Sequence, residues 1–264
     1  MSILKVDGLG IAFGGIRALD DVSFAVPRGM IFSIIGPNGA GKTTLFNLIS
    51  GVYRTADGTI AVDGLDVTGL RPATLASLGL SRTFQNLQLF TRMTVLENAM
   101  TGRHRHETRA ILGHLVRSPA TRAQERRSRE LAMACLARVG LDGEAGRLAG
   151  ALPYGAMKRL EIARALATEP RLLLLDEPAA GCNAAETEEI DRLLVEIAAS
   201  GITIVLIEHD MKLVMGISNR VLVLVEGRVL TEGEPHAVAR DPRVIEAYLG
   251  RDAAHRLAEA PSYA

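Results

Sequence analysis

Net charge is what this chain of 264 residues lacks: 30 Lys and Arg balance 30 Asp and Glu, for an isoelectric point near 7. Such a balance gives no support for a nucleic-acid partner, and none is expected. Long apolar runs are missing too. The longest stretch without a charged residue is the thirteen residues 29–41, well short of the ~18–20 apolar residues of a membrane span. Met1-Ser2-Ile3-Leu4-Lys5 is not a charged leader followed by an apolar core, so a cytoplasmic location is expected. Cysteine is nearly absent. Cys135 and Cys182 are too few for a disulfide framework, and each reads as a buried small hydrophobe in a reducing compartment. No internal repeat is visible. Lysine is scarce as well, with four in all, which gives weight to where each one falls.

One of the four is Lys42, in Gly36-Pro37-Asn38-Gly39-Ala40-Gly41-Lys42-Thr43-Thr44. This is a complete G-x-x-x-x-G-K-T phosphate loop. The apolar run Met30–Ile35 before it has strand composition, and Leu45, Leu48 and Ile49 after it recur at helical spacing. In that context the backbone amides of the glycine-rich turn cradle phosphate oxygens, helped by the positive end of the following helix. Lys42 is placed to reach the β- and γ-phosphates, and the Thr43 hydroxyl to hold Mg²⁺. A bound nucleoside triphosphate is the expectation.

Residues 1–65 read as short strands and turns, punctuated by Asp7-Gly8, Asp57-Gly58 and Asp63-Gly64. From about Leu70 to Gly150 helical patterns dominate, with little strand propensity. Within that stretch, 103–129 carries eight arginines against Glu107 and Glu125. A solvated helical face or a surface near anionic headgroups would both account for it. Continuous apolar runs return at 172–175, 202–207 and 221–225, as expected for strands covered on both faces. Helical stretches near 184–199 and 210–216 separate them. The rhythm is that of an α/β domain with a mainly parallel central sheet and an inserted α-helical part. The domain is expected to span 1–250, with the insertion at about 86–152 and a short tail at 251–264.

The strand 172–175 runs into Asp176-Glu177-Pro178. Alternation along a strand sends the two acids in different directions. Asp176 would then reach a Mg²⁺ shell, and Glu177 would orient or deprotonate an attacking water. Alone, the pair would serve equally well as an acidic strand cap. His209, in Glu208-His209-Asp210, follows the strand 202–207 at the sheet edge where ligands gather, within reach of a γ-phosphate. Gln85, in Thr83-Phe84-Gln85-Asn86, offers a neutral amide at the border of the insertion. Leu152-Pro153-Tyr154-Gly155-Ala156 precedes a helix expected over 157–167. Its apolar face is Met157, Leu160, Ala163 and Leu166, and Lys158, Arg159, Glu161 and Arg164 take the remainder. A glycine turn there is a second potential anion site, one that a second subunit would have to bring to the nucleotide.

Taken in order and spacing, these segments resemble the ATP-binding cassette family over nearly the whole chain. The resemblance implies a P-loop ATPase core with an N-terminal antiparallel β-subdomain and an inserted helical subdomain. It implies ATP and Mg²⁺ as ligands, with Mg²⁺ held by Thr43, Gln85 and Asp176. Lys42, Gln85, Glu177 and His209 would serve catalysis, and Phe13 would stack on adenine, with a core-packed Phe as the alternative. Tyr154 and Gly155 would face the γ-phosphate held by a partner's phosphate loop, with Gly181-Cys182-Asn183 crossing between the sites. Pro153, Tyr154 and Ala156 depart from the usual Leu-Ser-Gly-Gly-Gln. Leu-Pro-Tyr-Gly, the helix after it, Ile207–Met215 and Val244–Gly250 look like the ATPase subunits of branched-chain amino-acid importers. Such a subunit would pair with a second ATPase subunit, as a homo- or heterodimer. It would sit on the inner face of the membrane through integral-membrane permease subunits and serve a substrate-binding protein indirectly. Leu87, Leu89 and Phe90 would be an exposed apolar contact for a permease helix, or would pack within the insertion. A urea, amide or lipopolysaccharide cassette, or a non-transport assembly ATPase, is the alternative.

Overall fold

The structure, a computed structural model, describes residues 2–54, 57–106 and 119–249. The middle of the arginine-rich stretch and the expected tail at 251–264 lie outside the described residues. In chain order the elements are β1 Ser2–Phe13, β2 Ile16–Pro27, β3 Ile31–Ile35, α1 Lys42–Ile49, β4 Asp57–Val62, β5 Leu65–Asp66, α2 Pro72–Ser77 and β6 Leu80–Arg82. Then follow α3 Val95–Thr101, α4 Pro119–Arg138, α5 Tyr154–Leu166, β7 Leu172–Asp176 and α6 Ala184–Ala199. The chain closes with β8 Thr203–Ile207, α7 Met211–Ile217, β9 Arg220–Val225, β10 Arg228–Gly233, α8 Pro235–Ala239 and α9 Pro242–Leu249. Two compact units share these elements, one of residues 1–75 with 197–264 and one of 76–196.

In the first unit β1 pairs antiparallel with β2 and β4, and β4 with β5. Gly14 and Gly15, at φ 53° and 85°, make the two-residue turn between β1 and β2 that matches strand twist. Asp63-Gly64 turns the chain from β4 to β5 in the same way. Asp7-Gly8 and Asp57-Gly58, expected as turns, lie instead inside β1 and β4. Gly8 falls where the β1–β2 register slips between Val6 and Leu9, so the glycine accommodates a bulge rather than a reversal. In the second sheet of this unit β3 runs parallel to β8 and β9, and β10 returns antiparallel along β9. All five residues of β3 and all five of β8 are buried. The end of β3 rests on a cluster of Ile35, Val214, Val221, Val223, Val238 and Val244, against which Tyr248 packs.

In the second unit β6 pairs parallel with β7, Leu80 opposite Leu172 and Arg82 opposite Leu174. A strand at 80–82 was not expected from composition. Three residues carry no period of their own, and parallel pairing with a fully buried β7 supplies what local propensity does not. The helix expected over 157–167 begins three residues earlier, at Tyr154. Lys158 and Glu161, read as part of its polar face, are each 2% exposed. Cys135 and Cys182, expected buried, are half-buried, and burial raises the Cys135 thiol above its usual range. Among the described residues no helix is long and apolar enough to cross a membrane.

The start of the helical part is set by polar groups. Thr94 and Glu97 form a reciprocal capping box at α3, with bonds of 3.1 and 2.7 Å. Asn98, fully buried, accepts the Phe90 amide at 2.9 Å and donates to the carbonyls of Phe90 and Thr94, both at 3.0 Å. It thereby replaces the secondary structure that 90–94 lacks. Asn98→Ala is expected to strand these groups and to cost about 2–4 kcal/mol. Thermal melting checks this, and a midpoint within a degree of the parent would show that water takes over the bonds.

Candidate nucleotide site

In the first unit, β3 ends in the turn Gly36–Gly41, which hands the chain to α1. Gly41 sits at the N-cap with φ 98°. A Cβ there would lie 2.7 Å from the Ala18 carbonyl oxygen and 2.7 Å from a Leu19 methyl, so the backbone passes where only glycine fits. No side chain caps α1, and its first turn holds no acid. The first amides and the helix dipole are therefore left for an external anion. The Lys42 ammonium folds back over the turn and donates to the carbonyls of Gly36 at 2.6 Å and Pro37 at 3.0 Å. Asn38, Gly39 and Thr43 are exposed, Pro37 and Thr44 half-buried, and Ala40 buried.

Phe13, at the end of β1, is exposed and not part of the core. Its ring meets Tyr53 edge to face, with centroids 5.4 Å apart. Tyr53 was missed by sequence reading. It follows α1 directly, and a lone aromatic after a helix carries no signal. His209 follows β8 with its side chain 62% exposed, and its Nδ1 is 3.8 Å from a carboxylate oxygen of Glu208. Glu208 is itself buried and accepts the His209 amide at 3.1 Å. This bond orients the backbone that carries the imidazole.

In the second unit, β7 delivers Asp176 and Glu177. Asp176 is buried and ion-paired with Arg82 at 3.2 Å, and the Arg82 guanidinium lies 5.0 Å from the Phe84 ring centroid. Glu177 has φ 49°, a left-handed conformation that costs a non-glycine residue about 1–3 kcal/mol. That kink aims the side chain at Gln85, whose Nε2 donates to Glu177 Oε2 at 3.0 Å. The structure thus brings Gln85 and Glu177 together, although ninety-two positions separate them.

Tyr154 and Gly155 are the first two residues of α5, with Pro153 as an N-cap that makes no side-chain bond. The Tyr154 ring is 44% exposed, while Gly155 is buried and its amide donates to Glu186 Oε1 at 3.2 Å. The other oxygen of Glu186 accepts the Asn183 amide at 3.0 Å, and Asn183 Oδ1 accepts the Glu186 amide at 3.0 Å. One carboxylate therefore joins the loop 181–183 to the start of α5. Glu186 was not anticipated, because Asn-x-x-Glu reads only as a capping pair. Phe84 and Phe90 are exposed, whereas Leu87 and Leu89 are half-buried, so the expected apolar contact is narrower than a run of three.

Among the described residues no group of three or more His, Cys, Asp and Glu side chains gathers as a metal cage. Mg²⁺ does not need one. It is usually held by one or two protein oxygens, with phosphates and water completing the octahedron. The exposed Thr43 hydroxyl, the Asp176 carboxylate and the Gln85 amide are oxygen donors of that kind.

Residues 19–180 match the sequence family described as ABC transporter. The chain belongs to that family. It is an ATP-binding cassette ATPase, and residues 228–254 match a second description, branched-chain amino acid ATP-binding cassette transporter. The cassette is 45% identical over 249 residues to BraF of Pseudomonas aeruginosa, a high-affinity branched-chain amino acid transport ATP-binding protein, covering 94% of this chain and 98% of that one. It is 44% identical, with the same coverage, to the corresponding LivG protein of Escherichia coli. Among solved structures, a nucleotide-free ATP-binding cassette from an ABC transporter superposes with a TM-score of 0.83 at 36% identity, over 95% of this chain and 100% of that one. A dimeric bacterial ABC transporter cassette superposes with a TM-score of 0.73 at 26% identity, over 88% of this chain and 98% of that one.

Gly41→Ala is expected to destabilise the cassette by about 2–3 kcal/mol through left-handed strain and the collision with Ala18 and Leu19. ATP binding should weaken roughly tenfold or more as the amides tilt away. Thermal melting and titration with a fluorescent ATP analogue read the two effects. An unchanged variant would show that the turn deforms around a methyl group.

Proposed function

We propose that the cassette powers a membrane importer for branched-chain amino acids. The observation that carries this reading is identity of 44–45% over nearly the full length to transport proteins of that printed specificity, joined to the match at 228–254. Two copies, or this chain and a sister subunit, close around two ATP molecules. The pair sits on the cytoplasmic face of the membrane against permease subunits fed by a substrate-binding protein.

In this scheme Gly36, Pro37, Asn38, Gly39, Ala40, Gly41, Lys42, Thr43 and Thr44 hold the phosphates, and Phe13 stacks on the adenine. Lys42 exchanges the carbonyls of Gly36 and Pro37 for β- and γ-phosphate oxygens. Thr43, Asp176 and Gln85 would hold Mg²⁺, which when bound neutralises charge on the transferred phosphoryl group. Glu177 takes the proton of the attacking water, and its contact with Gln85 supports that role by fixing where the carboxylate points. His209 donates to the γ-phosphate. Tyr154 and the Gly155 amide act on the nucleotide of the opposite subunit, where the Glu186 carboxylate gives up that amide to a phosphate oxygen of like charge.

Glu177→Gln should bind ATP within about threefold of the parent and lose hydrolysis by at least ~100-fold. Closed dimers should accumulate in ATP on size-exclusion chromatography. Hydrolysis near the parent rate would remove Glu177 from the role of base. In the co-purified complex, leucine, isoleucine and valine with the binding protein should stimulate ATPase activity. Stimulation by urea or an amide alone would overturn the assigned cargo.

A further inference from the structure

Three charged residues on α5, Lys158, Glu161 and Arg164, recur at every third position and so share one stripe of the helix. Lys158 and Glu161 are 2% exposed and Arg164 is half-buried. Burying ionised groups is costly unless each finds strong partners, so the partners say what the stripe is for.

Those partners are mostly backbone. Glu161 Oε1 accepts the Gln88 amide at 3.3 Å and lies 3.6 Å from Arg164. Arg164 donates to the Gln88 carbonyl. The Lys158 ammonium reaches the carbonyl of Gln85 at 3.5 Å and that of Glu177 at 3.4 Å. Gln88 is thus tied to α5 through both its amide and its carbonyl, and Lys158 ties the Gln85 carbonyl to α5 and to Glu177 together. Beside them a cavity of about 250 Å³ is lined by Ser81, Arg82, Thr101, Glu161 and Arg164. Gln85 and Gln88 are themselves exposed.

We infer that Glu161 and Arg164 are positioning residues for ATP hydrolysis, clamping the loop 84–88 so that the Gln85 side chain meets Glu177. The inference rests on the roles proposed above for Gln85 and Glu177. It adds that the helix beginning at Tyr154 and the loop carrying Gln85 move as one body. A shift of α5 caused by a partner subunit is passed to Gln85 and Glu177 through the hydrogen bonds of Lys158, Glu161 and Arg164.

The test compares Glu161→Ala, Glu161→Gln, Gln88→Pro and Glu177→Gln in the full chain, measuring kcat, KM for ATP and the melting midpoint. Glu161→Ala should lower kcat about tenfold or more with KM within twofold, since misplaced reacting groups slow chemistry and not binding. Glu161→Gln keeps an acceptor oxygen and should recover most of the rate. Gln88→Pro removes the loop's N–H, fixes φ at that exposed position and restricts Leu87, and should reproduce the kcat loss with a melting midpoint no lower than that of Glu161→Ala. Combined with Glu161→Ala, it should add little, as expected for one shared interaction. If Glu161→Ala does not fold, Gln88→Pro decides alone. Rates within twofold of the parent for Gln88→Pro, with Glu177→Gln inactive, would overturn the clamp and leave the site reading standing. Turnover retained by Glu177→Gln would overturn that reading and the clamp with it.

Discussion

Buried strands concentrate their polar side chains at their C-terminal ends, and much of the candidate site hangs from that constraint. β3, β7 and β8 are five residues each and wholly buried. At their C-terminal ends the chain turns and places backbone amides and charged side chains at the strand ends. β3 does so at Gly36, β7 at Glu177 with φ 49°, and β8 at Glu208-His209. The phosphate loop, the acidic pair and the histidine are therefore three products of one geometric necessity. The left-handed strain at Glu177 is the local cost of aiming a carboxylate sideways from a strand end.

The charges at these strand ends are each matched within their own unit. Lys42 rests on carbonyls of its own loop, Asp176 on Arg82, and the Gly155 amide on Glu186. Each contact satisfies a group that the proposed scheme hands to a phosphate oxygen or a cation. In that scheme, groups already held in place lower the cost of organising the site. It also makes α5 a structural hub, with Glu186 at its first turn and the Lys158–Glu161–Arg164 stripe along its length.

Much of this was legible in the residues. The phosphate loop, the strands at 172–176 and 203–207 and the helix at 184–199 carry strong local patterns: glycines at fixed spacing, unbroken apolar runs, amphipathic period. Other parts were not. The helix expected over 157–167 reads as amphipathic with Lys158 and Glu161 on its polar face, because period analysis scores charge as exposure. It cannot anticipate that loop amides and carbonyls will surround those charges. β6 escaped notice because three residues have no period, Asp7-Gly8 signalled a turn where the chain runs on through β1, and Asp57-Gly58 opens β4.

What the sequence determined by itself is the set of reactive groups and the order of elements that carry them. Glycine freedom, apolar periodicity and the rarity of lysine are local properties, readable one segment at a time. What only the tertiary structure decided is which groups meet. Gln85 beside Glu177, Glu186 on Gly155, Tyr53 against Phe13 and Glu161 on the amide of Gln88 join positions that no spacing rule connects. The physical reason is that side-chain bonds between distant segments depend on the path of every strand and helix between them, which local propensity does not encode.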